Sequence, residues 1–274
     1  MSSAVSPLAD VPEFTGLHDP LVLDFLENAE PIKLTLKSVY TENYNKLDTL
    51  YKLLCDLEEG PTLIFCNYRE RAEEVSNYLW DKGVNNEYFH GGMEQEERER
   101  VLCKFRNGST YIFISTDLAS RGLDIPEIKY IIHYHLPEKP EAFIHRNGRT
   151  ARMNASGTAF LLLEKDTPLP DYLADAPETY LPVGKYPAPA EPYWSTLYIG
   201  KGKKDKVNKM DIVGFLCQKG ELRKEDIGKI EVKDHHSFVA VKRGNLRQLL
   251  SSGERKLKIC ELRSKFQGKY SRQV

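Results

Sequence analysis

Three arginines crowd into the eight residues His145-Arg146-Asn147-Gly148-Arg149-Thr150-Ala151-Arg152. Broken by a glycine and small polar residues, they present forked donors that can point at one anionic target without apolar cover. Phosphate is the natural target. Upstream, Ser115-Thr116-Asp117-Leu118-Ala119-Ser120-Arg121-Gly122-Leu123-Asp124 directly follows the apolar run Tyr111-Ile112-Phe113-Ile114. A strand that ends in Ser, Thr and Asp and turns through Arg-Gly puts hydroxyls, amides and carboxylates at its carboxyl end, where open α/β sheets bind ligands. The two stretches are expected to face one cleft. Either alone is weak, since basic stretches are commonly solvated surface.

The elements that must position them follow from periodicity. Ile32, Leu34 and Leu36 alternate with Lys33, Thr35 and Lys37, so Ile32 to Tyr40 is predicted to be a strand with one buried face. Leu47, Leu50, Leu54 and Leu57 then fall at helical spacing, on a helix ending near Gly60. Strands are predicted at Thr62 to Cys66, Asn86 to His90, Tyr111 to Ser115, Lys129 to His133 and Thr158 to Leu163. Helices are predicted at Glu70 to Lys82 with Gly83 at the C-cap, at Gln95 to Arg106, and from Pro140 to about Arg149. Such alternation with short turns means a parallel sheet covered on both faces.

Charge divides the chain. Residues 1–192 hold 19 Lys+Arg against 31 Asp+Glu, while residues 193–274 hold 20 against 9. A tail this basic carries the electrostatic footprint of nucleic-acid binding; a surface kept basic for solubility is the blander alternative. Between the halves, residues 165–193 hold seven prolines without helical periodicity and read as a linker. Tyr172, Leu173, Tyr180 and Leu181 are poor linker residues, which predicts some packing on the first domain. The tail (194–266, with 267–274 as a terminal extension) reads as strand Thr196 to Gly200, a Lys-rich loop through Lys206, helix Lys209 to Lys219, strands Ile227 to Val232 and Ser237 to Val241, helix Asn245 to Ser252 and strand Leu257 to Arg263. This β-α-β-β-α-β order is that of RNA-recognition folds. Alternation turns Leu197, Ile199, Val239 and Val241 inward and Tyr198, His236 and Phe238 outward. No run of eighteen apolar residues and no signal-peptide pattern occurs, which predicts a cytoplasmic protein without membrane attachment. Five scattered cysteines lack any Cys-x-x-Cys pair, arguing against a zinc site or disulfide framework and for reduced thiols.

Together the Arg-rich and Ser-Thr-Asp stretches resemble the sixth and fifth motifs of the DEAD-box RNA helicases, in the second of that family's two RecA-like lobes. Leu63-Ile64-Phe65-Cys66-Asn67 resembles the fourth motif, and Gln95-Glu96-Glu97-Arg98 the family's Gln-x-x-Arg element. The tail is similar to the C-terminal domain of the DbpA-type members at Lys204-Asp205-Lys206, Asp211-Ile212-Val213-Gly214, Ile227-Gly228-Lys229-Ile230 and Phe238-Val239-Ala240-Val241. The resemblance implies an α/β fold: a RecA-like parallel-sheet helicase lobe at 31–164, then a small α+β domain like an RNA-recognition motif. Residues 1–30 resemble the exit from a first lobe, with Ser3-Ala4-Val5 as a stub of its Ser-Ala-Thr motif.

Roles carried over by this resemblance are expectations. Arg149 and Arg152 match the arginine fingers, and Asp124 the residue that helps hold the ribose. Asp117 matches the residue that orients the neighbouring arginines, though either Asp could equally cap a helix. His145 and Arg146 are expected to link bound nucleotide to the lobe interface. Thr116, Arg121, Gly122 and Gly91-Gly92 are expected to touch RNA, with Gln95 and Arg98 tying the sheet to motif six; the Gly91-Gly92 pair also reads as plain turn residues. In the tail, Tyr198, His236 and Phe238 are candidates to stack bases, and Lys201, Lys203, Lys204 and Lys206 to hold phosphates. No Gly-x-x-x-x-Gly-Lys-[Ser/Thr] or Asp-Glu-Ala-Asp run occurs. ATP and Mg²⁺ are therefore expected only in combination with a first lobe, supplied in cis or in trans, and the chain alone is expected to be inactive. It reads as a monomeric C-terminal half from a truncated gene, a split gene or a fragment, acting on structured ribosomal RNA. The alternative is a non-enzymatic RNA-binding protein with a vestigial lobe. Motif six departs from the usual His-Arg-Ile-Gly-Arg-Thr-Gly-Arg at Asn147 and Ala151.

Overall fold

A computed structural model describes residues 34–41, 45–117, 125, 127–150, 157–165, 168–173, 177–183, 187–246, 249 and 259–261. The alternating pattern folds as β1 (Leu34–Tyr40), α1 (Lys46–Asp56), β2 (Thr62–Phe65), α2 (Arg69–Asp81), β3 (Asn86–Phe89), α3 (Gln95–Arg106), β4 (Ile112–Ser115), β5 (Tyr130–His133), α4 (Pro140–Asn147) and β6 (Gly157–Leu163). The six strands form one parallel sheet in the order β1-β6-β5-β2-β4-β3. Successive side chains of a strand face opposite sides, so each strand feeds two cores. Ile64, Ile114 and Ile132 meet Leu50 and Leu53 of α1 and Val75 and Leu79 of α2 on one face. Leu63, Phe113 and Ile131 meet Val101 and Phe105 of α3 on the other. This is the RecA-like arrangement expected.

Local signals set the helix ends. Asn45 Oδ1 accepts from the Asp48 amide at 3.0 Å and caps α1. Gly83 takes φ +77 after α2, a conformation that costs a side chain but not glycine. Buried Lys104 pairs with buried Glu87, fixing α3 to β3 through a charge pair that neither partner could leave unpaired.

The tail forms β7 (Trp194–Ile199), a short turn at Lys203–Asp205, α5 (Lys209–Gln218), β8 (Ile227–Val232), β9 (Ser237–Lys242) and β10 (Ile259–Glu261). Its antiparallel sheet runs β10-β7-β9-β8, the strand order of the split β-α-β unit. Asn208 caps α5 by accepting from the Met210 and Asp211 amides at 2.8 and 3.1 Å, and Asp211 returns the contact at 2.9 Å. Leu197, Ile199, Val239 and Val241 point inward on Ile212 and Leu216, as alternation predicts. Of the helix expected at Asn245 to Ser252, residues 247, 248 and 250–252 lie outside the described residues.

The linker is no free spacer. Tyr172 packs on Phe143 of α4. Thr179 bridges Ser38 of β1, with Ser38 N donating to Glu178 O at 2.9 Å and Tyr180 N to Ser38 O at 2.7 Å. Pro187, Pro189 and Pro192 line a cavity with Leu54, Leu57 and Ile112 at the opposite end of the sheet. Leu181 is 74% exposed, against the expectation that it packs.

Candidate functional site

The carboxyl ends of β2, β4 and β5 deliver Asn67, Asp117 and His135 to one edge of the sheet, and α4 brings its last turn over them. Arg146 lies at their centre and is only 1% exposed. Its Nε donates to Asp117 Oδ1 at 2.5 Å, and Nη2 donates to Asp117 Oδ2 at 2.7 Å and Asn67 Oδ1 at 2.9 Å. Nη1 donates to the His135 carbonyl at 2.6 Å. The guanidinium also lies 4.9 Å from the Phe65 ring centroid. A buried charge needs a compensating partner and filled hydrogen bonds, and this cage supplies both. Arg146 is thus the fixed centre of the edge, with its donors turned inward. Asp117 accepts from Arg146 through both carboxylate oxygens.

One turn further, Arg149 is half-buried and His145 exposed. Arg149 N donates to Arg146 O and Thr150 N to Asn147 O, both at 3.2 Å. Thr150 Oγ1 donates to the Ile128 carbonyl, pinning the turn to the start of β5. The turn therefore hangs from Arg146 on one side and Thr150 on the other, and Arg149 lies between them. Arg121, Gly122, Asp124, Ala151 and Arg152 lie outside the described residues.

His133, fully buried beneath the turn, places Nε2 3.0 Å from Asn147 Oδ1. Burial pushes its pKa down to about 3, and burial lowers His135 to about 4. Both rings are neutral at pH 7. Burial raises the Cys66 thiol to about 12, so it is an inert apolar group. Among the described residues, no group of three or more His, Cys, Asp or Glu side chains is placed to hold a metal ion.

Of the lobe's RNA candidates, Thr116 is 8% exposed. Gln95 is exposed at the start of α3, and Arg98 is half-buried with its guanidinium 5.0 Å from the Phe89 ring centroid. Gly91 and Gly92 are exposed, and neither has positive φ. They are the central residues of a turn closed by Met93 N donating to His90 O at 3.2 Å, and a Cβ at Gly92 would come within 3.3 Å of both the Arg69 guanidinium and the His90 ring. Sequence reading missed exposed Arg69, which stands beside this open backbone. Its signal was its place directly after the motif-four strand.

In the tail, the basic loop is fixed in place. Lys203 N donates to Lys233 O at 2.8 Å and Lys204 N to Asp234 O at 2.9 Å. Gly202 permits this approach, since a Cβ there would lie 2.4 Å from Lys233 O. Lys201, Lys203, Lys204 and Lys206 are exposed together, although Lys201 is held by Asp205 at 2.6 Å and Lys204 lies 3.1 Å from His235 Nε2. The base-stacking expectation for the sheet face is corrected in one respect. Tyr198, His236 and Phe238 do turn away from their own core, with Tyr198 stacked on His236 and Phe238 meeting His236 edge-on, but Phe238 is 1% exposed because Cys103 of α3 covers it. Around this contact Thr196 Oγ1 meets Asn107 Nδ2 at 3.2 Å and Ser109 Oγ at 2.6 Å, and Arg106 meets Glu231 at 3.4 Å. Tyr198 and His236 remain half-buried.

Residues 45–154 match the family described as helicase conserved C-terminal domain, and residues 196–263 match the DbpA RNA binding domain. The chain is 31% identical to the ATP-dependent RNA helicase DbpA of Escherichia coli, over 90% of the chain and 56% of that protein. It is 28% identical to the protein of the same name from Bacillus subtilis, over 82% of the chain and 55% of that protein. It is 35% identical to DEAD-box ATP-dependent RNA helicase 53 of Oryza sativa subsp. japonica, over 55% of the chain and 25% of that protein. The chain thus spans about half the length of the DbpA proteins it matches.

Proposed function

Because the chain belongs to the DEAD-box family, of which it carries the helicase C-terminal domain followed by the DbpA RNA-binding domain, we propose that it is the second motor lobe and RNA anchor of an ATP-dependent helicase acting on structured ribosomal RNA. One observation carries the lobe's part in this reading: the Arg146 cage that holds the Arg149 turn at the carboxyl edge of the sheet. Such an edge is where open α/β sheets meet ligands.

In this reading Arg149 and Arg152 face the terminal phosphate of ATP held with Mg²⁺ by a first lobe, and Asp124 helps hold the ribose. The nucleotide supplies the phosphoryl group to be transferred. This chain supplies positive charge where negative charge develops, an effect worth roughly 10³ to 10⁵ in rate for an arginine so placed. Arg146 contributes by fixing the turn, and neutral His133 by seating it. RNA is held through phosphate contacts from the Lys201 to Lys206 loop and from the Arg69 and Gly91-Gly92 surface, which carry no base information.

The test is ATP hydrolysis with and without structured ribosomal RNA, by the chain alone and with a separately expressed first lobe. Hydrolysis is expected only in the mixture, stimulated by RNA and abolished by Arg149→Ala. If RNA binds but the mixture never hydrolyses ATP, the chain is a non-enzymatic RNA-binding protein.

A further inference from the structure

The linker reaches the arginine turn by two routes. Tyr172 Oη donates to the Pro137 carbonyl at 2.5 Å. Pro137 follows the loop whose His135 and Leu136 carbonyls accept from Arg146 and from Asn67 Nδ2, at 2.6 and 3.0 Å. The Tyr172 ring meanwhile lies 5.2 Å from Phe143, and Phe143 stacks on His133 at 4.9 Å and 29°. His133 Nε2 reaches Asn147, while its Nδ1 is buried with no hydrogen-bond partner among the described residues. Asn147 is therefore what fixes the ring's tautomer and roll. It is also the residue by which motif six departs from the usual isoleucine, and it stands two positions before Arg149.

We propose that Tyr172 is a positioning residue for Arg149: it closes the linker over α4 and holds the arginine turn through Phe143, His133 and Asn147 on one side and through Pro137 on the other. The proposal rests on the functional reading above. Close-packed rings leave little slack, so removing the outermost one lets the column shift. Tyr180, in the same linker but seated on Phe160 and β1, has no place in this column and serves as the control.

The experiment uses the full chain. Arginine side-chain Nε–Hε resonances are recorded by NMR, with that of Arg149 assigned by its loss in Arg149→Lys, and hydrolysis is measured with a first lobe present. Tyr172→Ala is expected to shift the Arg149 resonance and lower kcat about tenfold with KM for ATP nearly unchanged. Tyr172→Phe, which keeps the ring, is expected to shift the resonance less and keep most of kcat. Tyr180→Ala should move neither. An unmoved resonance and kcat in Tyr172→Ala, or equal changes in Tyr180→Ala, overturns the proposal. If Tyr172→Ala does not fold, Tyr172→Phe decides, and an unshifted Arg149 resonance there overturns it. If the unaltered chain with a first lobe shows no hydrolysis, the functional reading fails while the resonance comparison still tests the column.

Discussion

Arg146 and Arg149 look alike in the sequence, and burial separates them. The same burial governs His133, whose neutral ring is held far below its ordinary pKa. A histidine that cannot take a proton when folded but can when unfolded favours unfolding in acid. Its stability contribution is full above pH 6.5 and is lost as pH falls toward 3, at up to about 1.4 kcal/mol per pH unit. His135 adds in the same direction, toward its value of about 4. Urea midpoints are therefore expected to fall between pH 6.5 and 5, above the range where carboxylates ordinarily titrate. His133→Gln, whose amide can still donate to Asn147, is expected to make that dependence shallower. An unchanged slope in the variant would show that His133 is not its source.

At the scale of elements, α3 and β7 meet across the two domains through a buried hydroxyl shared by Asn107 and Ser109. Thr196→Val keeps the shape but leaves those groups without that partner. A loss of about 2 kcal/mol is expected, since a buried polar group without a partner costs about 1–3 kcal/mol. Calorimetry is expected to show two transitions in place of one as the basic domain undocks, with Thr196→Ser behaving as the unaltered chain. The same contact shows what was legible. Alternation along β9 turned Phe238 away from its own core, and it does turn away; no local pattern records that Cys103, far off in sequence, covers it. The parallel sheet, the glycine cap at Gly83 and the placing of Asp117 beside the arginine stretch were readable, because each is written in spacing or side-chain type. The inward turn of Arg146 and the seat of Tyr172 were not, because both depend on partners brought together only by the complete sheet.

On the scale of the molecule, acidic and basic halves of opposite sign are joined by a linker that lies along the lobe from α4, past β1, to the far end of the sheet. Its bridge to Ser38 satisfies backbone groups on the outermost strand of the parallel sheet. Such a row left open is a template for pairing with another chain. A lobe cut at Lys165 is therefore expected to self-associate, whereas one cut after Val183 keeps the bridge and stays dispersed, as light scattering at matched concentrations would tell. Equal scattering by the two would mean that the bridge shields nothing. The segment that tethers the RNA-binding domain would then also guard the lobe against aggregation, and proteolysis there would cost solubility as well as the tether.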